Sequence, residues 1–440
     1  MRTRKTTLAA ATAATTLLLA SPALAQTEVQ WWHAMGGSLG ELLENITDGF
    51  NASQDDYVVN PVYKGEYNET MTGAIAAFRA GEQPHIVQIF EVGTATMMAA
   101  EGAIRPVYEV MENSEIEFNP DAYLPAVTGY YTTTEGDMLS MPFNSSTPVM
   151  FYNKDAFEEA GLDPEAPPRT WPELEEASQA LLDAGYECGF TTGWPSWVQL
   201  ENFSALHNVP FVSGANGFAS TDIEALFNSD LHKKHIGKMV EWQESGVFSY
   251  GGRYSDSRPK FVSGECAMYT DSSANRASLV AGIEDFEFGM AMLPYWPDAE
   301  GAPQNSIIGG ASLWVLEGHP DEEYEAVAAF FEYLSSPEVQ AEWHQKSGYL
   351  PITQAAFELT QEQGYYEENP GADVSVKQMN LNEPTENSKG LRIGNFLQIR
   401  DIINEELEAA FSGDKSASDA LDEAVERANG ELEKFHRQNN

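Results

Sequence analysis

Between Gln30 and Ala100 the hydrophobic spacing alternates between strand and helix, and few architectures accept such a chain. Gln30 to Ala34 is a short apolar run that reads as a buried strand. Leu39, Leu42, Leu43, Ile46 and Phe50 then recur at helical spacing. Tyr57 to Tyr63 reads as the next strand and Tyr67 to Ala80 as the next helix. His85 to Phe90 is strand again and Thr94 to Ala100 helix. Strict succession of this kind predicts an α/β sheet whose short loops face a ligand.

The middle of the chain is more helical. Thr170 and Glu173 make a capping box ahead of a helix that runs to Gly185. Ser336 followed by Pro337 marks another helix start, and that helix stops at Gly348. Two acidic helices, Ile399 to Phe411 and Ser416 to Phe435, close the sequence. Three apolar, small-residue segments between helical blocks read as crossovers: Pro142 to Phe151, Ile307 to Val315 and Gly348 to Thr353.

Arg2, Arg4 and Lys5 precede an apolar run, Leu8 to Ala20, and Ala23-Leu24-Ala25 fits the small-x-small cleavage rule. Residues 1–25 therefore read as a signal peptide cleaved before Gln26. The run is too short and too rich in Ala and Thr to span a bilayer, and nothing later approaches a spanning length. No Cys near the cleavage point could carry a lipid, so the exported chain is not membrane-anchored, and retention behind an outer membrane predicts a periplasmic location. Cys188 and Cys266 would sit in an oxidising compartment, where pairing and two buried thiols both remain open. Asp and Glu number 68 against 24 Lys and Arg, a net charge of -44. Such a surface repels nucleic acid and anionic membranes. The acids are scattered over helical faces, a pattern that reads as adaptation to a salty habitat, where screening is strong.

Catalytic motifs mostly fail. There is no P-loop, H-E-x-x-H or C-x-x-C, and the eight histidines are dispersed with no metal-ligand spacing. His344, beside Trp343 on a helix, reads as structural. Instead there are hydroxyl, glycine and tryptophan clusters read as loops or strand breaks. These are Asn144-Ser145-Ser146-Thr147, Gly193-Trp194-Pro195-Ser196-Trp197, Thr270-Asp271-Ser272-Ser273 and Gly309-Gly310-Ala311-Ser312. Singly, each has an ordinary structural use in turns, bulges or cores. Together they describe a pocket of amide and hydroxyl donors with aromatic cover and no nucleophile.

Longer motifs carry a resemblance. Tyr63-Lys64-Gly65-Glu66-Tyr67, the run Phe90 to Met98, Pro142 to Pro148, Gln199 to Ser204, Ile307 to Val315, Glu342 to Lys346 and Lys389 to Arg392 resemble, in order and over essentially the whole mature chain, the periplasmic glycerol-3-phosphate receptors of ABC importers. These belong to the wider maltose-binding-protein-like group. The resemblance implies a type II periplasmic-binding-protein fold: two α/β lobes around a cleft, joined by three hinge segments. Residues 26–145 plus 313–347 would form the N-terminal lobe, and 146–312 plus 348–440 the C-terminal lobe. It implies capture of sn-glycerol 3-phosphate, or of glycerophosphodiesters such as glycerophosphocholine, by a monomer. That monomer hands its ligand to the permease and ATPase subunits of an importer, with no catalysis, cofactor or metal. Position by position, the family's ligand contacts fall on Tyr67, Glu91, Ser146, Ser272, Gly310, Tyr349 and Arg400, and its cleft tryptophans on Trp194 and Trp197. Arg400 is then expected to pair with the phosphate, and Glu91 to accept from glycerol hydroxyls. The competing readings are a receptor for a neutral sugar or maltose-type oligosaccharide, and a secreted glycerophosphodiester hydrolase.

Overall fold

A computed structural model describes residues 26–439 apart from 101, 115, 117, 134 and 135; the expected signal peptide lies outside the described residues. The strands, in chain order, are β1 (Thr27–His33), β2 (Tyr57–Tyr63), β3 (Ile86–Phe90), β4 (Ile104–Arg105), β5 (Met141–Ser146), β6 (Pro148–Asn153), β7 (Cys188–Thr192), β8 (Cys266–Ser272), β9 (Phe288–Ala291) and β10 (Gly309–Leu316). They form two sheets. The first has the order β2-β1-β3-β10-β4, with β5 also paired to β10; the second has the order β7-β8-β6-β9. Each sheet has helices against it, which gives two α/β lobes.

The first lobe follows directly from the alternating pattern. β1 pairs in parallel with β2 and β3, as strand-helix-strand connections require. The helix Gly37–Ser53 buries Leu43, Ile46 and Phe50 on one face. They pack with Val29, Trp31 and Val59 of the sheet and with Phe330 and Phe331 of the helix Asp321–Leu334. In the second lobe, the Thr170–Glu173 capping box opens the helix Trp171–Ala184, which Gly185 ends in the left-handed conformation. Its apolar face meets Phe190, Trp242 and Met268. The C-terminal helices Phe396–Phe411 and Ala417–Gln438 close the same core through Ile399, Ile403, Leu407, Leu421 and Leu432. No described helix is long and apolar enough to cross a membrane.

Cys188 and Cys266 are disulfide-bonded, which settles the alternative that the sequence left open. They stand opposite each other in the parallel β7–β8 register, with Cα atoms 4.6 Å apart.

The first crossover lies where the sequence placed it; the second ends at Ile308, so most of Ile307 to Val315 is already β10 of the first sheet. The chain leaves the first sheet at Ser146 and enters the second at Pro148, with Thr147 alone between. It returns along 292–308 into β10. The Thr147 hydroxyl ties the two paths, donating to the Ile307 carbonyl at 3.1 Å and accepting from the Ser306 hydroxyl at 2.7 Å. Gly348 to Thr353 runs beside them, its Leu350 N–H bonded to the Ser145 carbonyl at 2.7 Å. The third path is longer than six residues, however. The helix Gln354–Glu362 still packs on Pro337–Ser347, and only Val374–Met379 reaches β6, where Gln378 donates to the Pro148 carbonyl.

Candidate functional site

All four polar clusters sit differently from their expected local structure. Asn144-Ser145-Ser146 is not a turn but the end of β5, almost fully buried, where partners in the neighbouring elements satisfy the Asn144 amide. Gln88 of β3 donates to Asn144 Oδ1 at 2.7 Å, and Asn144 Nδ2 donates to the Tyr67 hydroxyl at 2.9 Å. Thr270-Asp271-Ser272 likewise belongs to β8 and does not follow it. Past a bend at Gly193–Trp194, the tryptophan segment is helical, with a π-turn from Trp197 to Asn202, a local geometry often found at functional sites. Gly309-Gly310 opens β10 and does not interrupt it.

All nine residues singled out from sequence line one cavity between the lobes, of about 610 Å³. β3 and the turn after it deliver Glu91. β5 delivers Ser146, and β8 delivers Ser272. The helix Tyr67–Ala80 begins with Tyr67, whose ring stacks on Phe90 at 5.2 Å. Tyr349 stacks on Trp343. His344 fixes that segment by donating Nδ1–H to the Tyr349 carbonyl, which leaves Nε2 to accept from Tyr366 at 2.8 Å. Burial pushes this imidazole down to about 4, so it is neutral and structural, as its position suggested. Trp197 is buried with its ring against Gly309, and its indole N–H has no acceptor among the described residues. Trp194 is more open and donates to Ser255 Oγ at 3.2 Å.

Gly310 is required by geometry. Its φ is +97°, and a Cβ there would overlap the Asn144 carbonyl oxygen. Gly310→Ala is expected to lower folding stability by about 2 kcal/mol or more, from left-handed strain plus this overlap. Urea unfolding measures it, and a wild-type midpoint would refute the requirement.

Arg400 departs most from expectation. It does not stand free for an anion. Its Nε and Nη2 donate to the two oxygens of Glu201 at 2.7 Å each, and Nη2 also reaches Glu91 at 2.6 Å. All three side chains are buried, and Ser196 adds a bond to Glu201 at 2.9 Å. The triad carries a net charge of -1. Burial opposes the Arg400 charge, but Glu201 and Glu91 together hold the guanidinium above its ordinary value. Burial raises the Glu91 carboxyl, Arg400 pulls it back and Glu201 adds to the rise. Glu91 belongs to the first lobe, Glu201 and Arg400 to the second, so the triad bridges the cleft. Only the Nη1 donors of Arg400 remain uncommitted among the described residues. A donor pair beside a carboxylate suits hydroxyl groups better than a phosphate.

Sequence reading passed over Glu201, although it lies in a quoted motif, and Arg258, which also lines the cavity. It also passed over a cluster outside the cleft. His85, His319 and Glu323 converge, with the two rings stacked 3.8 Å apart. His319 and Glu323 are four residues apart, but no local spacing links them to His85. The donor chemistry does not fit a metal ion. His85 Nδ1 accepts the Gln30 N–H at 3.0 Å, so the ring proton lies on Nε2, directed at Glu323 at 2.7 Å. A metal-bound histidine has the reverse arrangement, its spare nitrogen donating. The cluster is a brace between the first sheet and the helix Asp321–Leu334.

The family model described as bacterial extracellular solute-binding protein matches residues 45–372. The "sn-glycerol-3-phosphate-binding periplasmic protein UgpB" of Yersinia pseudotuberculosis is 51% identical over 427 residues, 97% of each chain. The protein of the same name from Salmonella paratyphi A is 51% identical over 425 residues, 96% of this chain and 97% of its own. Among solved structures, UgpB from Mycobacterium tuberculosis in complex with glycerophosphocholine superposes with a TM-score of 0.76 at 20% identity, covering 92% of this chain and 98% of that one. The GacH receptor of Streptomyces glaucescens gives 0.77 at 18%, covering 93% and 99%. The two structures share the two-lobed fold. Matched by the family model over most of its length, and half identical to relatives from end to end, this periplasmic chain belongs to the bacterial extracellular solute-binding proteins, beside the UgpB proteins.

Proposed function

We propose that the chain captures sn-glycerol 3-phosphate in the cleft between its lobes and delivers it to the membrane subunits of an ABC importer, without transforming it. The observation that carries this reading is the mixed lining of the cleft. Ser146, Ser272, Gly310 and Tyr349 supply hydroxyl and amide groups, while Glu91 and Arg400 supply a paired acceptor and donor. A phosphate needs the first set and vicinal hydroxyls the second. The half-identical relatives named for this ligand support it. Trp194 and Trp197 would cover the carbon skeleton, and would also accommodate the choline of a phosphodiester by cation–π contact.

The lobes are read as 26–145 plus 313–347 and 146–312 plus 348–440. β10 enters its sheet four residues earlier than that division, at Gly309. The protein would act as a monomer, its acidic surface fitted to a saline medium. Calorimetric titration of the mature protein with glycerol 3-phosphate, glycerophosphocholine and maltose tests the reading. One-to-one binding of the phosphate ligands with maltose silent is the expected result. Binding of maltose alone by folded protein would overturn the ligand assignment.

A further inference from the structure

If the cleft takes a phosphate, some group must meet its charge, and Arg400 is already committed to two carboxylates. An anion brought to that triad would enter a region that is already negative. The cavity lining contains one other arginine, Arg258, at the start of the helix Arg258–Val262. It is only partly buried and forms no ion pair among the described residues. Its one bond there is to a neutral amide: Nη1 donates to Asn275 Oδ1 at 3.4 Å. Asp271 feels its charge, but that carboxylate is held by the Tyr269 hydroxyl and the Ser272 N–H. The exposed acids Glu66 and Asp256 also line the cavity without pairing to Arg258. Most of the five guanidinium donors are therefore unspent.

The surroundings hold this group on the ligand-facing wall. Asn275 Nδ2 donates to Ser255 Oγ at 3.3 Å, and the same oxygen accepts from Trp194 Nε1. Trp194, Ser255, Asn275 and Arg258 thus form one chain of hydrogen bonds. Asn275 opens the helix Asn275–Gly282, whose N-terminal end favours negative charge. Ser272 Oγ accepts from the Ala274 N–H at 3.2 Å, which leaves its own proton to donate.

We propose that Arg258 is the specificity-determining residue of the cleft. It receives the anionic phosphate of a phosphomonoester or phosphodiester, while Glu91 and Arg400 face the hydroxyl end. The proposal rests on reading the chain as a receptor for a phosphorylated polyol. The test is calorimetry with glycerol 3-phosphate at low and high salt on the wild type, Arg258→Gln and Arg258→Lys, each with a melting curve. The expected result is roughly 30-fold weaker binding by Arg258→Gln. Partial recovery in Arg258→Lys, a smaller salt dependence in the Gln variant and unchanged melting temperatures complete the expected pattern. Binding by a stable Arg258→Gln variant within about 3-fold of wild type, a difference under 1 kcal/mol, overturns the proposal while leaving the receptor reading intact. Equal loss in both variants with lowered melting temperatures also overturns it, since Arg258 would then be a structural brace. If the folded wild type binds no phosphate ligand, the receptor reading and the proposal fall together.

Discussion

Arg400→Ala is expected to lose about 3–5 kcal/mol of folding stability, because it leaves two buried carboxylates facing each other without their shared cation. Glu201 and Glu91 are 1% and 6% exposed, so water does little to relieve them. Glu91→Gln should be much milder, since it keeps the two-point Arg400–Glu201 pair and removes the excess charge. The contrast between the variants separates this account from a simple loss of packing. The effect also depends on pH. Glu91 is already raised from its ordinary 4.5, and removing Arg400 raises it further. A carboxyl raised on folding weakens the fold above that raised value and ceases to do so as the pH falls to 4.5. The stability gap between Arg400→Ala and wild type should therefore narrow toward acid. Denaturant unfolding at several pH values measures it. A gap under about 1 kcal/mol near neutrality would remove the triad as a stabilising unit.

Loss of the disulfide is the second large effect. The bridge joins residues 78 apart, and in the chain-entropy account a loop of that size contributes on the order of 4 kcal/mol. The Cys188→Ala/Cys266→Ala variant should unfold at a clearly lower denaturant concentration, and added reductant should shift the wild type toward it. Because β7 and β8 are adjacent, the weakness should concentrate in the second sheet, where hydrogen exchange would show it first. If reductant moves the wild type no further than it moves the variant, the bridge is not stabilising.

Local structure was most legible where one periodicity rules. β2 and the helix Tyr67–Ala80 fall at their expected bounds, since their spacing and caps are local properties. The capping box at Thr170 and the stop at Gly348 are also local. Asn144 to Ser146 was not legible as a strand. Polar residues signal a turn unless distant partners satisfy them, and Gln88, Tyr67 and Gly309 come from other parts of the chain. The gathering of all nine candidate residues around one cavity was carried by a resemblance, not by spacing. Glu201 and Arg258 have no local mark. In so acidic a chain a glutamate attracts no notice, and what distinguishes Arg258 is that it forms no ion pair among the described residues, a fact of tertiary structure alone.

The strand order has a consequence for biogenesis. Neither lobe is built from an uninterrupted stretch of chain. The first sheet lacks its middle until β10 arrives between β3 and β4, and the second core lacks a wall until the last two helices are in place. The earliest-made segments therefore cannot complete either core on their own: the first waits for β10 and the helix Asp321–Leu334, the second for the last helix. For a protein that works beyond the membrane enclosing its ribosome, this order favours a chain that is still open during translocation, and a product terminated before β10 has no finished lobe to hide behind.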